Sequence, residues 1–157
     1  MSILKNVAVI GTGVIGTGWI IRCLAHGKKV RAYDINLKYK NILIKEIKRT
    51  WPFVKKMFSK KKLNLNNLSF FTNLKDALVN AEFIFECSPE NYSIKINLMK
   101  KIGLYSKPKS IISSSSSGLL PSKIYSKCKY PERGLIGHPF NPVYLLSLIH
   151  ISEPTRP

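Results

Sequence analysis

A glycine-rich segment close to the N-terminus is the strongest constraint on the fold of this 157-residue chain. The apolar run at residues 7–10 leads into Gly11-Thr12-Gly13-Val14-Ile15-Gly16, and a second apolar run at 30–33 ends at Asp34, 18 residues after Gly16. Glycine triplets also occur in ordinary loops. A strand before the triplet, an amphipathic segment after it and the later carboxylate are together typical of a dinucleotide-binding βαβ unit.

Each part of this segment has a physical role in such a unit. Gly11 allows a tight turn, Gly13 lets backbone amides approach a pyrophosphate, and Gly16 lets the helix pack closely on the sheet. The helix N-terminus faces the phosphates with its positive dipole end. The Asp34 carboxylate accepts hydrogen bonds from ribose hydroxyls and repels a 2′-phosphate, which favours NAD over NADP. The predicted cofactor contacts here are Gly11, Thr12, Gly13, Val14, Ile15, Gly16 and Asp34.

Strand-like and helix-like segments alternate along the chain, which predicts an α/β fold with a doubly wound, mainly parallel sheet of the Rossmann type. Strands are expected near 6–10, 29–34, 68–72, 82–88, 109–114 and 134–138, and helices near 14–26, 37–50, 74–80, 92–105 and 120–126. Residues 51–67 are expected to form an inserted helical flap.

The formal net charge is +18, from 26 Lys and Arg against 8 Asp and Glu, and such a charge can indicate a polyanionic partner. The lysines are spread over nearly every segment, however, and the one concentrated patch (Lys55, Lys56, Lys60, Lys61, Lys62) lacks interleaved aromatic residues. We therefore expect no nucleic-acid partner. The patch is interpreted as a solvated helical face, with a site for an anionic substrate group as the alternative.

The three cysteines, Cys23, Cys87 and Cys128, have no metal-ligand spacing. They predict reduced thiols in a cytoplasmic protein without a metal site, with Cys23 and Cys87 as small core residues. No apolar run is long enough to cross a bilayer, and the N-terminus lacks the pattern of a signal peptide, so no membrane association is expected.

A second group of polar residues follows the fifth and sixth predicted strands. A serine run occupies residues 113–117, and Gly137-His138-Pro139-Phe140-Asn141-Pro142 follows later. Both lie at carboxyl ends of neighbouring strands, where a nicotinamide is expected. An imidazole can take a hydroxyl proton while hydride leaves the same carbon. A single histidine beside prolines is nevertheless more often structural.

The C-terminal residues are not expected to be a natural protein segment. Residues 146–156, Leu-Ser-Leu-Ile-His-Ile-Ser-Glu-Pro-Thr-Arg, resemble the translation of a transposon-type sequencing adapter. We expect an NAD-binding Rossmann domain at 1–145 and a non-native tail at 146–157.

From residue 7 to residue 145 the chain resembles the N-terminal domain of the 3-hydroxyacyl-CoA dehydrogenase superfamily. The residues that carry the resemblance are those at 9–16 with Gly18-Trp19, Ser88-Pro89-Glu90, 116–122, Pro131-Glu132-Arg133 and 138–146. The resemblance implies NAD as cofactor and oxidation of a 3-hydroxy group. It also implies a helical C-terminal domain, missing from this chain, that closes over the substrate and makes a homodimer.

The superfamily's functional residues match particular positions here. His138 matches the general base, Ser117 the serine that hydrogen-bonds the reacting oxygen, and Asn141 an asparagine beside the nicotinamide ribose. Glu90 and Lys95 match cofactor-side contacts. The alternatives are a strand-end hydroxyl that caps backbone groups for Ser117, and a surface ion pair for Glu90 and Lys95.

Two departures limit the expected activity. The superfamily has a glutamate twelve residues after the histidine, where this chain has His150, and the second domain is missing. Without that domain the site is open to water and half built. We expect the chain to bind NAD weakly and to turn over little or no substrate.

The resemblance leaves the small-molecule substrate open between L-carnitine and a 3-hydroxyacyl-CoA, with a sugar acid third. The wording of the motifs at 117–122 and 138–146 favours carnitine. A trimethylammonium group needs an aromatic or acidic pocket, and Trp19 and Tyr144 are the candidates to contribute to it. The phosphates of CoA need cationic contacts instead. Outside catalysis, a non-catalytic NAD-binding protein and a nucleic-acid binder are the alternatives.

Overall fold

The central feature of the computed structural model is one mainly parallel sheet. The structure describes residues 4–58, 62–146 and 148–151. Its strands are β1 (Asn6–Ile10), β2 (Lys29–Tyr33), β3 (Leu68–Phe71), β4 (Phe83–Glu86), β5 (Ile111–Ser114), β6 (Gly134–Pro139) and β7 (Leu148–Ile151). The strand order is β3-β2-β1-β4-β5-β6-β7. The first six strands run parallel, as predicted, and β7 pairs antiparallel with β6.

Helices connect the strands and cover both faces of the sheet. They are α1 (Val14–Ala25), α2 (Lys38–Val54), α3 (Leu74–Leu78), α4 (Tyr92–Tyr105) and α5 (Pro121–Ile124), with short 3₁₀ turns at Leu65–Asn67 and Pro131–Arg133. Because side chains alternate along a strand, Val7 and Val9 pack toward α1 and α2, while Ala8 and Ile10 pack toward α3, α4 and α5. The doubly wound α/β prediction is confirmed.

The predicted flap at 51–67 is wrong in its first part. The second helix continues through Trp51 and Pro52 to Val54. Trp51 and Val54 are buried in the core formed with α1, and this packing favours continuation of the helix. Pro52 lies in the last turn, where its missing N–H removes a single hydrogen bond of the helix. Lys60 and Lys61 of the predicted lysine patch lie outside the described residues.

The strand β7 falls within the segment expected to be an adapter-derived tail. Its backbone places position 150 opposite Gly137 and position 149 opposite His138. The non-native origin of residues 146–157 stays a prediction, and residues 147 and 152–157 lie outside the described part of the chain. No helix within the described residues is long and apolar enough to span a membrane.

Candidate active site at the carboxyl edge of the sheet

A crevice of about 1260 Å³ opens at the carboxyl ends of β1 and β4. The chain leaves β1 toward β2 on one side and reaches β4 on the other, so this is the point where the sheet order reverses. Ligands of doubly wound sheets bind at such a switch point. The walls include all of the predicted glycine-loop contacts except Gly16, and they also include Asp34 and Asn141.

The glycine loop has no room for side chains at two of its positions. Gly11 has φ +94°, and a Cβ there would lie 2.7 Å from the Cys87 carbonyl oxygen. A Cβ at Gly16 would lie 1.9 Å from the Gly11 carbonyl oxygen. The turn and the first turn of α1 therefore pack backbone against backbone, as the sequence predicts.

Gly13 leaves space open where the other two glycines leave none. A Cβ at Gly13 would meet no described atom within 4 Å. Gly13 also begins α1 without a side-chain cap, whereas α3 and α4 begin with Asn73 and Asn91, whose side chains accept hydrogen bonds from the first turn. The first amides of α1 are thus left for an anion, and the loop fits the pyrophosphate of a dinucleotide.

Asp34 lies at the tip of β2, beside the glycine loop. Its Oδ2 accepts hydrogen bonds from the Thr12 N–H at 2.8 Å and the Thr12 hydroxyl at 2.6 Å, and its Oδ1 accepts one from the Ile35 N–H at 2.8 Å. Oδ2 thus accepts two hydrogen bonds, and Oδ1, which accepts one, can accept a further one from a ligand. The same side chain thus anchors the loop and presents a negative charge where a ribose is expected.

The serine run forms a loop at the end of β5, and its five hydroxyls have different surroundings. Ser113, Ser114 and Ser116 are buried, Ser115 is half-buried, and Ser117 is exposed. Ser114 donates to Glu86 at 2.6 Å and Ser116 donates to Glu90 at 2.6 Å. The Ser117 hydroxyl lies 3.5 Å from Glu90. Ser117 is therefore the member of the run best placed to meet a ligand.

Glu90 organises this loop. Its Oε1 accepts hydrogen bonds from the Ser117 N–H at 2.9 Å and the Gly118 N–H at 3.0 Å, besides the Ser116 hydroxyl. Burial acts to raise the pKa of the Glu90 carboxyl, but these hydrogen bonds and the charge of Lys95 outweigh it, and the pKa lies below its ordinary value. Its predicted contact with the cofactor stays a prediction beside this observed role.

Lys95 lies inside the protein. Its side chain is 1% exposed, and its ammonium nitrogen is 3.0 Å from both oxygens of Glu86, 3.1 Å from the Ser88 carbonyl oxygen and 3.7 Å from Glu90. The alternative of a surface ion pair is therefore wrong for Lys95. Its cofactor contact stays a prediction.

Glu86, the partner of Lys95, is a functional neighbour that the sequence interpretation missed. It is fully buried at the end of β4, and it also accepts hydrogen bonds from the backbone N–H and hydroxyl of Ser88. The signal was an acidic residue that ends the otherwise apolar run Phe83–Glu86, because a buried carboxylate requires a charged or hydrogen-bonding partner.

His138 lies half-buried near the end of β6, next to the serine loop. Its Nδ1 is 3.2 Å from the Ser115 carbonyl oxygen. A carbonyl oxygen only accepts hydrogen bonds, so Nδ1 carries the proton in the neutral ring and Nε2 presents its lone pair. The structure thus brings the serine loop and His138 together at one edge of the sheet. Within the described residues, neither Ser117 nor His138 lines the crevice wall itself.

The segment after β6 places Asn141 and Tyr144 in the crevice. Arg22 of α1 donates hydrogen bonds to the carbonyl oxygens of Val143 at 3.3 Å and Leu146 at 3.2 Å. Val143 packs against Gly18, where a Cβ would lie 2.7 Å from the Val143 Cβ. These contacts, with Gly18 in the middle of α1 and Arg22 in its last turn, hold the segment against that helix.

The structure also bears on Trp19, a candidate pocket residue, and on the three cysteines. Trp19 is 6% exposed and stacks on Phe85 at a centroid distance of 4.2 Å, so it belongs to the core and is not part of a ligand pocket. The three cysteines are free thiols. Cys23 is buried as predicted. Cys87 is half-buried, packs against the same core and also lines the crevice, and burial raises the pKa of its thiol to about 12.

The family comparisons agree with this geometry. The sequence-family model for the NAD-binding domain of 3-hydroxyacyl-CoA dehydrogenase matches residues 6–156. The L-carnitine dehydrogenase of Pseudomonas putida is 43% identical over 153 residues, covering 98% of this chain and 48% of that protein. The L-carnitine dehydrogenase of Staphylococcus epidermidis is 41% identical over 144 residues, covering 92% and 45%. The chain spans about half the length of the curated relatives it matches.

A solved structure supports the same grouping. The 3-hydroxybutyryl-CoA dehydrogenase of Escherichia coli superposes with a TM-score of 0.83 at 25% identity, covering 92% of this chain and 31% of that one. Together with the glycine loop, the Asp34 carboxylate and the sheet order, these matches show that the chain belongs to the 3-hydroxyacyl-CoA dehydrogenase family and carries its NAD-binding domain.

Proposed function

We propose that this chain is the NAD-binding part of a dehydrogenase that oxidises the 3-hydroxy group of L-carnitine to 3-dehydrocarnitine. The names of its curated relatives support the substrate class. The observation that carries the chemistry is the contact between His138 Nδ1 and the Ser115 carbonyl oxygen, which orients the imidazole at the same sheet edge as the crevice and the exposed Ser117.

In this proposal His138 Nε2 takes the proton of the substrate hydroxyl, and Ser117 donates a hydrogen bond to the same oxygen. Bound NAD would supply the hydride acceptor for the carbinol carbon. Asn141 would hold the nicotinamide ribose, and Glu90 and Lys95 would act on the cofactor side. Ionised Glu90 also holds the serine loop, so that Ser117 approaches the substrate in a fixed geometry.

To test this proposal, the chain is fused after residue 145 to the second half of the Pseudomonas putida L-carnitine dehydrogenase, which gives the completed protein. We expect NAD-dependent oxidation of L-carnitine, and a fall of about 100-fold or more in kcat for His138→Gln with a small change in KM, because a general base acts in the transition state. The uncompleted chain should bind NADH weakly and turn over little substrate. Equal kcat values for the two completed proteins would refute His138 as the base.

A 3-hydroxyacyl-CoA is the second candidate substrate. The fold similarity to the Escherichia coli 3-hydroxybutyryl-CoA dehydrogenase favours it. The completed protein distinguishes the two through kcat/KM with L-carnitine and with 3-hydroxybutyryl-CoA. NADH binding without turnover of either would instead support a non-catalytic NAD-binding protein.

We also propose that the complete protein is a cytoplasmic homodimer that associates through its second domain. The absence of dimers of the completed protein in analytical ultracentrifugation would contradict this assembly.

A further inference from the structure

The crevice extends past the glycine loop along one face of α2. We call this extension the α2 arm, and it is lined by Tyr39, Ile42, Glu46 and Arg49 of α2 and by Tyr144 of the segment after β6. The sequence motifs assign no role to the four residues of α2. Because Asn141 and Tyr144 belong to one short segment, the arm adjoins the place where the nicotinamide end of the cofactor is expected.

Two opposite charges lie on the wall of the α2 arm. A guanidinium nitrogen of Arg49 is 2.7 Å from Glu46 Oε1, and the Thr50 hydroxyl lies 3.3 Å from the same oxygen. The hydrogen bond from Arg49 lowers the pKa of Glu46, so its carboxylate is ionised at neutral pH. Among the described residues that line the arm, these two are the ionised ones, and their charges cancel.

The pair is exposed enough to exchange partners. The side chain of Arg49 is 75% exposed and that of Glu46 is 38% exposed. An exposed ion pair contributes only about 0–1 kcal/mol, so a ligand that offers equivalent charges can replace it at little cost. A ligand with one positive and one negative group can pair with both residues. A phosphate group can pair with Arg49 but has no positive end, so it would leave Glu46 without a cation.

The remaining lining residues suit a methylated cation. Tyr39 and Tyr144 are half-buried aromatic rings on the wall of the arm. Aromatic rings beside a carboxylate attract quaternary ammonium groups. A guanidinium group binds a carboxylate through two parallel hydrogen bonds. The arm therefore contains a partner for each end of a small zwitterion.

We propose that the α2 arm is the substrate subsite for a zwitterionic hydroxy acid, with Arg49 binding the carboxylate and Glu46 and Tyr144 binding the quaternary ammonium group. This inference rests on the proposed function and names the residues that determine its substrate. In this proposal Glu46 selects a zwitterion over a CoA thioester, because its carboxylate attracts an ammonium group and repels phosphates.

The test titrates the whole chain, saturated with NADH, with three probes followed by NMR: L-carnitine, choline and 3-hydroxybutyrate. Glu46→Gln should weaken binding of L-carnitine and choline by about three- to tenfold and leave 3-hydroxybutyrate unchanged. Arg49→Gln should weaken L-carnitine and 3-hydroxybutyrate similarly and leave choline unchanged. The control is Lys48→Gln, an exposed residue of the same helix that does not line the crevice, and it should alter none of the three affinities.

The outcomes separate this inference from the proposed function. If L-carnitine fails to bind, or if both variants bind all three probes like the parent chain, the subsite is refuted. NADH binding is measured first and independently, and its absence would refute the cofactor part of the proposed function. Equal losses for all three probes in Glu46→Gln would also refute the subsite, since they would indicate a structural change.

Discussion

At the scale of single residues, Asp34 anchors the glycine loop, and we propose that it also determines the choice of cofactor. Its carboxylate accepts two hydrogen bonds from Thr12 while it lies where the adenosine ribose is expected. A hydrogen bond to a charged group contributes about 1.5–3 kcal/mol, so loss of the charge should be visible in cofactor affinity.

We expect Asp34→Ala to weaken NADH binding by roughly 10- to 100-fold and to reduce the preference for NADH over NADPH. Asp34→Asn, which keeps an acceptor oxygen for Thr12, should retain more of the NADH affinity while still losing the repulsion of the 2′-phosphate. Fluorescence titration with NADH and NADPH measures both effects. Equal cofactor affinities in the parent chain and Asp34→Ala would show that Asp34 does not contact the ribose.

Glu90 is the second residue for which a direct prediction follows, because its pKa lies below the ordinary value. A carboxylate with a lowered pKa stabilises the folded state above its unfolded pKa, and this contribution is lost as the pH falls through the folded pKa. We expect Glu90→Gln to speed hydrogen exchange of the Ser117 and Gly118 amides at neutral pH, and the difference from the parent chain to shrink on acidification.

Glu132→Gln is the matched control, since Glu132 is an exposed carboxylate away from the serine loop. It should leave the exchange of both amides unchanged. Exchange rates that differ between the parent chain and Glu90→Gln by the same factor at every pH would contradict the role of the Glu90 charge.

At the scale of secondary structure elements, the contact between α1 and the turn after β1 limits substitution more than helix propensity does. Alanine is favoured over glycine within a helix by about 1 kcal/mol. At position 16, however, its Cβ would lie 1.9 Å from the backbone oxygen of Gly11, and no rotamer can relieve a contact of Cβ with backbone.

We expect Gly16→Ala to lower the free energy of unfolding by about 1–3 kcal/mol and to weaken NADH binding, since the turn must move. Gly13→Ala is the matched control for stability, because its Cβ meets no described atom within 4 Å. Urea unfolding of both variants tests this. A Gly16→Ala chain as stable as Gly13→Ala would contradict the close packing.

At the scale of the whole molecule, the net charge of +18 is a property of composition rather than of one binding surface. Described lysines occur on different elements, and Lys95 is buried within an ion pair. Nucleic-acid affinity requires several cations that contact phosphates together.

We therefore expect no measurable binding of the chain to a DNA duplex at physiological salt, with any binding at low salt lost steeply as salt is added. Fluorescence anisotropy with a labelled duplex measures this, and NADH binding to the same sample shows that the protein is folded. Submicromolar affinity at physiological salt would support a nucleic-acid binder.

Local patterns predicted most of the fold. The six parallel strands and the start of α1 follow from apolar runs and glycine spacing, which act over a few neighbouring positions. The extension of α2 through Pro52 was not predicted, because the burial of Trp51 against the core outweighs a local helix-breaking signal. The pairing of β7 with β6 has no local signature either.

For the candidate site, the sequence by itself determined the glycine loop, the carboxylate at position 34, and the occurrence of a serine run and a histidine at neighbouring strand ends. The tertiary structure decided that Ser117 is the exposed serine, that Lys95 is enclosed with Glu86, and that Glu46 and Arg49 face the crevice. The contacts between Glu90 and the serine loop span 26 to 28 residues of sequence. Such contacts depend on which strands become neighbours, because the sheet brings together side chains that no local pattern relates.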